Sequence, residues 1–420
     1  MPIDFTLTDA QLELQTNARA FAQGVLGGVR DVIAAHDKPQ KRFFATKPFF
    51  DEVADAGFIN ALIPEAYGGA GYSNIDLAIA AEELMAVDVS VPTTMLGVGL
   101  GLQPLLIHGS HEQKQRFLPA FIEKPADRLA CLAFTDVGGA ANFDDPNPDA
   151  GLQTFAHRDG DDWVINGRKQ YNTNGSGWDG KGAYLFSVVC RAEEHRDRRV
   201  PASESMAVIM VPGNTPGIEI VGWHDMPGHR AVDSPIIHFN DVRVPAENLL
   251  GEPGDGVELK YKTFSWTAGL IGAACVGVMR SAFDYAFEYC RSEKRAGSVP
   301  IIEYQNAGYM LVDIKTRIEA CRYMAWKACV ELDRSGGLSE ELPTMTKIFA
   351  SETCVQVIYD AMRLVGVDSY TSGTPLAGLM QDALCFPVYD GGNMGIRRRR
   401  LHQMMQRDGY DPMAAMLGRW

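Results

Sequence analysis

At 420 residues the chain is too long for one simple hydrophobic core, so two or three domains are expected. Its composition is that of a soluble globular protein, and a formal net charge of -14 argues against nucleic-acid or anionic-membrane binding through a global field. Eight scattered cysteines form no Cys-x-x-Cys pair, which disfavours a zinc or dithiol site and suggests reduced core thiols of a cytoplasmic protein.

Met1-Pro2-Ile3-Asp4 turns polar at once, so no secretory leader is expected, and no apolar stretch reads as a membrane span. Residues 1–125 read as helical. Thr8-Asp9-Ala10-Gln11 is a capping box, and helices are expected around 74–88, 90–107 and 111–122 with Asn74, Ser90 and Ser110 as caps. Residues 126–250 change period. Trp163 to Ile165, Ala183 to Cys190, Met206 to Val211, Ile218 to Val221 and Ile236 to Phe239 are short β-rich runs between Gly, Asp, Asn and Pro clusters. Residues 251–420 return to helix. Stripes at helical spacing run from Phe264 to Ala282, Ala307 to Leu332 and Met345 to Met362. The fold class is therefore α+β: an N-terminal helical domain, a central small β-barrel or sandwich, and a C-terminal antiparallel helix bundle.

Three segments can carry chemistry. Thr135-Asp136-Val137-Gly138-Gly139-Ala140-Ala141-Asn142 follows the strand-like Leu129 to Phe134. Such a loop offers backbone N–H groups to a phosphate, or is simply a turn; it lacks the Gly-x-Gly-x-x-Gly pattern and βαβ context of a Rossmann site. Gly167 to Gly175 places Tyr171 and Thr173 two residues apart, on one strand face, where they can meet a flat ring or merely end a polar strand. Tyr389-Asp390-Gly391-Gly392 precedes Arg397 to Arg400. It is either a turn followed by a solvated basic face, or a carboxylate set beside a guanidinium that keeps it ionised and oriented as a base. The nine histidines are dispersed without metal-ligand spacing, so no metal is expected.

These segments recur with others in a fixed order. Pro64-Glu65-Ala66-Tyr67-Gly68-Gly69 comes first, then Thr135-Asp136-Val137, and then Gly167, Lys169 and Tyr171 to Asn174. Phe239, Val242, Val244, Pro245, Asn248, Leu250 and Gly251 follow, then Arg295 and Gln305, and finally Tyr389-Asp390-Gly391. Over nearly the whole chain this order resembles the acyl-CoA dehydrogenase superfamily. The resemblance implies FAD between the β domain and the C-terminal bundle, lined by Leu132, Phe134 and Thr135, with Thr173 near the flavin N5. It also assigns Ala140, Asn142, Tyr171, Gly391 and Gly392 to the cofactor. Arg295 and Gln305 would reach the pyrophosphate of FAD bound mainly to a neighbouring subunit, and Arg363 and Gly366 the adenine end, which implies a homotetramer.

Asp390 stands where that family usually has Glu. Asp-Gly-Gly-Asn-x-Gly-x-Arg-Arg-Arg is similar to the nitroalkane oxidases, as are Ala45 to Phe49, Gly177 to Ala183, Val188 to Arg191 and Ile301 to Glu303. The resemblance then implies that Asp390 takes the α-proton of a nitroalkane while Arg397 orients the carboxylate. Nitrite leaves, water completes an aldehyde or ketone, and molecular oxygen reoxidises the flavin to give hydrogen peroxide. Thr267 aligns with an active-site serine of those enzymes, Tyr171 with a flavin-adjacent Trp and Phe134 with a His. The other readings are an acyl-CoA dehydrogenase, a flavin monooxygenase acting on nitrogen groups, and an inactive scaffold.

Overall fold

A computed structural model describes residues 5–147, 149–193 and 200–419. Residues 1–4, on which the reading of the N-terminus rests, and residue 420 lie outside the described residues.

The N-terminal region is helical. α1 (Asp9–Val25) opens on the capping box expected from sequence: the Thr8 hydroxyl accepts from the Gln11 backbone, and the Gln11 side chain accepts from the Thr8 N–H. α2 (Asn74–Met85) is capped by Ser73 rather than Asn74, because the Ser73 hydroxyl accepts from Asp76 N. α3 (Ser90–His108) includes Ser90 as its first residue and has Val89, not Ser90, at the cap. α4 (His111–Phe117) has the Ser110 cap, completed as a second capping box by Gln113.

One sheet follows: β1 (Ala130–Ala133), β2 (Phe155–Asp159), β3 (Asp162–Gln170), β4 (Leu185–Glu193), β5 (Met206–Pro212), β6 (Ile218–Trp223), β7 (Pro235–Pro245) and β8 (Leu249–Leu250). The strand order is β6-β7-β3-β2-β4-β5-β8, with β1 also paired to β4. β1 and β2 run parallel to β4 along its first and last residues respectively, from Ala130↔Leu185 and Phe155↔Arg191. β4 is buried along its whole length, and its side chains divide by the period of two. Phe186, Val188, Cys190 and Ala192 belong to the core of the β domain, whereas Leu185 and Val189 join the helical core. The same alternation in β1 sends Cys131 and Ala133 into the β core and Leu132 towards the helices. The sheet thus has an inner face of its own and a face that docks on the bundle.

The C-terminal bundle comprises α5 (Gly256–Ser292), α6 (Gln305–Arg334), α7 (Glu341–Val365), α8 (Leu376–Cys385) and α9 (Arg398–Met405). The apolar stripes expected from sequence lie on α5, α6 and α7; those of α5 and α6 are buried throughout. On α7 only Ile358 of the expected stripe is buried, Met345, Ile348, Val355 and Met362 are half-buried, and the inward face runs through Ala350, Cys354, Val357 and Ala361. α3 and α5 are long and apolar enough to cross a membrane, but 83% of each apolar window is buried within the protein. All eight cysteines are free thiols, and seven are buried.

Candidate active site

The segment between α8 and α9 determines the site. Asp390 and Gly391 follow one another with positive φ, +49° and +69°. Asn393–Arg397 then form one π-helical turn, which rotates Arg397 back over the turn it has just left. The seven-residue spacing noted in the sequence therefore becomes a contact: Arg397 Nη2 donates to Asp390 Oδ2 at 2.9 Å. Nη2 and Nε also donate to the Asp390 carbonyl at 2.8 and 3.2 Å, and Nη1 donates to the Phe264 carbonyl at 2.8 Å. The side chains of this pair are only 3% and 5% exposed, so neither charge is hydrated in the ordinary way.

α5 supplies the other side. The Thr267 hydroxyl lies 2.9 Å from Asp390 Oδ1 and 2.8 Å from Oδ2, and 3.0 Å from the Phe264 carbonyl. A hydroxyl carries one hydrogen, so it donates to one of these acceptors at a time. Both oxygens face Thr267, but only Oδ2 is engaged by Arg397.

The four consecutive arginines do not make a solvated face. Each has its own carboxylate: Arg397 pairs with Asp390, Arg398 with Glu352 at 2.7 Å, Arg399 with Asp144 at 2.6 Å, and Arg400 with Glu258 at 2.9 Å as well as Glu340. Gly391 is required at its position. A Cβ there would come within 2.9 Å of Phe264 Cδ2 and 3.3 Å of Arg397 Nε. The left-handed backbone adds about 1–2 kcal/mol for an L-residue. Gly391→Ala is therefore expected to lower the melting temperature of the holoenzyme and slow its reaction; an unchanged melt would show that the turn relaxes freely.

Asp390 faces a cavity of about 580 Å³ between the sheet and the bundle. Leu132, Phe134, Thr135, Ala140, Tyr171, Thr173, Thr267, Gly391 and Gly392 all line it. Tyr171 and Thr173 do so without sharing a strand face. β3 ends at Gln170, and Tyr171 turns out of the sheet at φ +57° to stack on His224 with ring centroids 4.2 Å apart. Asn142 does not line the cavity; it is exposed, and its Oδ1 accepts from Arg399 at 3.5 Å. Arg295, Gln305, Arg363 and Gly366 are exposed and also lie outside the cavity lining. Arg295 donates to the Val365 carbonyl and pairs with Asp368 at 2.9 Å, Arg363 pairs with Asp360 at 3.1 Å, and Gln305 bonds Tyr309.

Buried lysines complete the site, one from the ordered motifs and two that escape a reading of the sequence. Lys169 is wholly buried and ties three things together: its Nζ donates to the Phe134 and Val189 carbonyls at 2.8 and 2.7 Å and meets Asp136 at 2.7 Å. Asp136 also accepts from Gln153 N, Thr154 N and the Thr154 hydroxyl. Burial pushes the Asp136 carboxyl up, but Lys169 and Thr154 outweigh it and hold the group below the usual range. The pair thereby anchors the Phe134–Thr135 wall of the cavity. Lys260 is buried among the rings of Phe134, Phe143, Tyr261 and Phe264, at 3.8 to 5.2 Å, and its Nζ has no hydrogen-bond partner. Burial drives its ammonium far below the ordinary lysine range, with Arg397 adding to the effect. Lys347, also wholly buried, reaches the Asp390 turn from α7. A lysine on an amphipathic helix is ordinarily read as solvated, so neither of these two carries a sequence signal.

Among the described residues no cluster of three His, Cys, Asp or Glu side chains could hold a metal ion. The cavity lining suits a flavin ring instead. Leu132, Phe134 and Tyr171 offer apolar surface to its faces, Thr135 and Thr173 offer hydroxyls to its polar edge, and Asn172 Oδ1 is a buried acceptor without a partner at the same wall.

Helical, β and helical regions in this order, with a carboxylate on the last turn facing such a cavity, define an acyl-CoA dehydrogenase-type flavoenzyme. The chain matches the N-terminal, middle and C-terminal domain families of acyl-CoA dehydrogenase over residues 8–124, 131–242 and 254–405. It belongs to that family, whose members are FAD flavoproteins, and is an oxidoreductase. It is 35% identical to the nitroalkane oxidase of Fusarium oxysporum over 99% of this chain and 98% of that protein. The same identity relates it to the nitroalkane oxidase of Podospora anserina, over 100% and 99% of the two chains. The crystal structure of nitroalkane oxidase in complex with spermine, a competitive inhibitor, superposes with a TM-score of 0.95 at 34% identity, covering 99% of this chain and 100% of that one.

Proposed function

We propose that the protein is a nitroalkane oxidase: a primary or secondary nitroalkane, water and oxygen give an aldehyde or ketone, nitrite and hydrogen peroxide. The observation that carries this reading is the buried Asp390 carboxylate, held by Arg397 at 2.9 Å and Thr267 at 2.8 Å where it faces the cavity. FAD, when bound, accepts the two electrons and passes them to oxygen.

The chain's own residues do the proton chemistry. A nitro group delocalises the charge left by α-deprotonation, so the base needs placement more than unusual strength. Asp390 Oδ2 is engaged by Arg397, which leaves Oδ1 as the atom that takes the proton. Thr267 can direct its one hydrogen to either oxygen, so it solvates the carboxylate before transfer and can donate to Oδ2 once Oδ1 carries the proton. The aliphatic and aromatic walls exclude water from the reacting carbon. An aspartate in place of glutamate sets the reacting oxygen back by one methylene, a displacement of the order that separates productive from unproductive geometry. The relatives named nitroalkane oxidase support the same substrate class.

The proposal extends to a cytoplasmic homotetramer in which Arg295, Gln305, Arg363 and Gly366 contact the cofactor of a neighbouring subunit; their exposure outside the cavity lining supports this. The test is anaerobic bleaching of the bound flavin by nitroethane and butyryl-CoA side by side, followed by admission of oxygen. Rapid bleaching by nitroethane, then nitrite and peroxide, is expected. A flavin bleached by the thioester alone makes the protein an acyl-CoA dehydrogenase.

A further inference from the structure

Asp390 sits at φ +49°, a left-handed conformation uncommon for a residue with a side chain, although aspartate adopts it more readily than most. Arg397 grips one side of the turn through the Asp390 carbonyl. The preceding carbonyl, that of Tyr389, is gripped from the opposite element. Lys347 of α7 donates from Nζ to Tyr389 O and to Asn393 Oδ1, both at 2.9 Å. Asn393 in turn donates from Nδ2 to Ser351 Oγ at 3.0 Å and Glu352 Oε1 at 3.1 Å, back on α7. Two consecutive carbonyls thus end on two different buried basic side chains. The flanks of Asp390 are stitched to one face of α7 through Lys347, Asn393 and Ser351.

Packing alone does not account for a lysine here. A buried amine loses its hydration, and a methionine would fill similar space without that cost. The lysine adds two directed hydrogen bonds, and both fall on the turn that carries Asp390.

We propose that Lys347 is a positioning residue for proton abstraction: it clamps the 389–393 turn to α7 and so fixes where the Asp390 carboxylate stands. The inference rests on Asp390 being the base. Burial lowers the Lys347 ammonium to about 7, with Arg397 adding to the effect and Asp390 opposing it. Both hydrogen-bond partners are acceptors, so the ammonium and the neutral amine make the same two bonds and the clamp holds across neutrality. The titratable and charged groups that face Lys347 are Cys275 on α5, Glu352 on α7, Cys385 next to the turn, Tyr389 and Asp390 on it, and Arg397 beyond it.

The test is Lys347→Met in the FAD-loaded enzyme, with bleaching rates measured per bound flavin using nitroethane and its α-deuterated form. FAD content is expected to persist. kcat/KM should fall by up to about 10²-fold, the penalty for a base misplaced by about an ångström. The deuterium isotope effect should grow as proton transfer becomes more fully rate-limiting. A purely structural lysine would lower the melting temperature while leaving per-flavin rate and isotope effect at wild-type values; that result overturns the clamp. If Lys347→Met does not retain FAD, Asn393→Ala decides, with the same changes expected at smaller size and wild-type kinetics overturning the proposal. Should wild type respond only to butyryl-CoA, the substrate reading fails while the clamp is tested with the thioester. Should it respond to neither, the crystal structure of Lys347→Met decides: an unmoved turn, with both Thr267 contacts kept, overturns the clamp.

Discussion

Asp390→Asn is expected to keep bound FAD and lose flavin bleaching by about 10²–10⁴-fold, the usual contribution of a positioned general base. The amide nearly matches the carboxylate in size, and its oxygen can still accept from Thr267 or Arg397, so the cavity wall persists. What it cannot do is take a proton. A second effect follows from burial. Arg397 is 2% exposed and has Asp390 as its only ion-pair partner among the described residues. Removing one member of a buried pair leaves the other charge uncompensated, at about 3–5 kcal/mol. Asp390→Asn should therefore melt below wild type even with FAD bound. Asp390→Glu separates the two effects. It restores charge and stability but advances the oxygen by a methylene, and should give an intermediate rate. Stopped-flow bleaching under nitrogen, with FAD occupancy measured in parallel, provides the comparison; full-speed bleaching by Asp390→Asn would refute the assignment of the base.

The parts of this site that were legible in sequence were those fixed by spacing along a short segment. Asp390 and Arg397 meet because a glycine turn and a single π-helical turn leave little freedom between them. The strands and the stripes of α5 and α6 were legible for a related reason: their side-chain periods reflect faces buried by this fold. Conformations imposed from outside a segment were not legible. Tyr171 and Thr173 read as neighbours on a strand, yet the strand ends at Gln170. The following turn is held by Asn174, which donates to the carbonyls of Thr94 and Ala130 at 2.9 and 3.3 Å, residues distant in sequence. The strand Phe155–Asp159 was missed because its polar residues show no alternation, although β3 and β4 flank it on both sides. The buried lysines 260 and 347 were hidden by the same logic: each is defined by groups that only the tertiary fold assembles.

Arg397→Lys and Arg397→Met are expected to separate two roles that the guanidinium combines. Its planar fork serves three acceptors at once: Asp390 Oδ2, the Asp390 carbonyl and the Phe264 carbonyl. A lysine keeps the charge, but its compact ammonium cannot reproduce that fork. At least one buried acceptor should lose its partner, at about 1–3 kcal/mol, equivalent to about a fivefold to 150-fold change in an equilibrium. Arg397→Lys should therefore remain charged and flavin-bound but react slowly, with the acid limb of its pH profile near that of wild type. Arg397→Met removes the charge as well. The Asp390 carboxylate then stands buried without its ion-pair partner, and protonation is the cheapest relief. The acid limb should shift to higher pH, and activity at neutral pH should fall below that of Arg397→Lys. The sign follows from the charge: losing a neighbouring cation favours the neutral carboxyl, so more hydroxide is needed to generate the base. Profiles of kcat/KM against pH for the three proteins measure this directly. If Arg397→Lys and Arg397→Met shift the limb equally, the contribution of Arg397 is geometric, and the Coulombic part of its role is wrong.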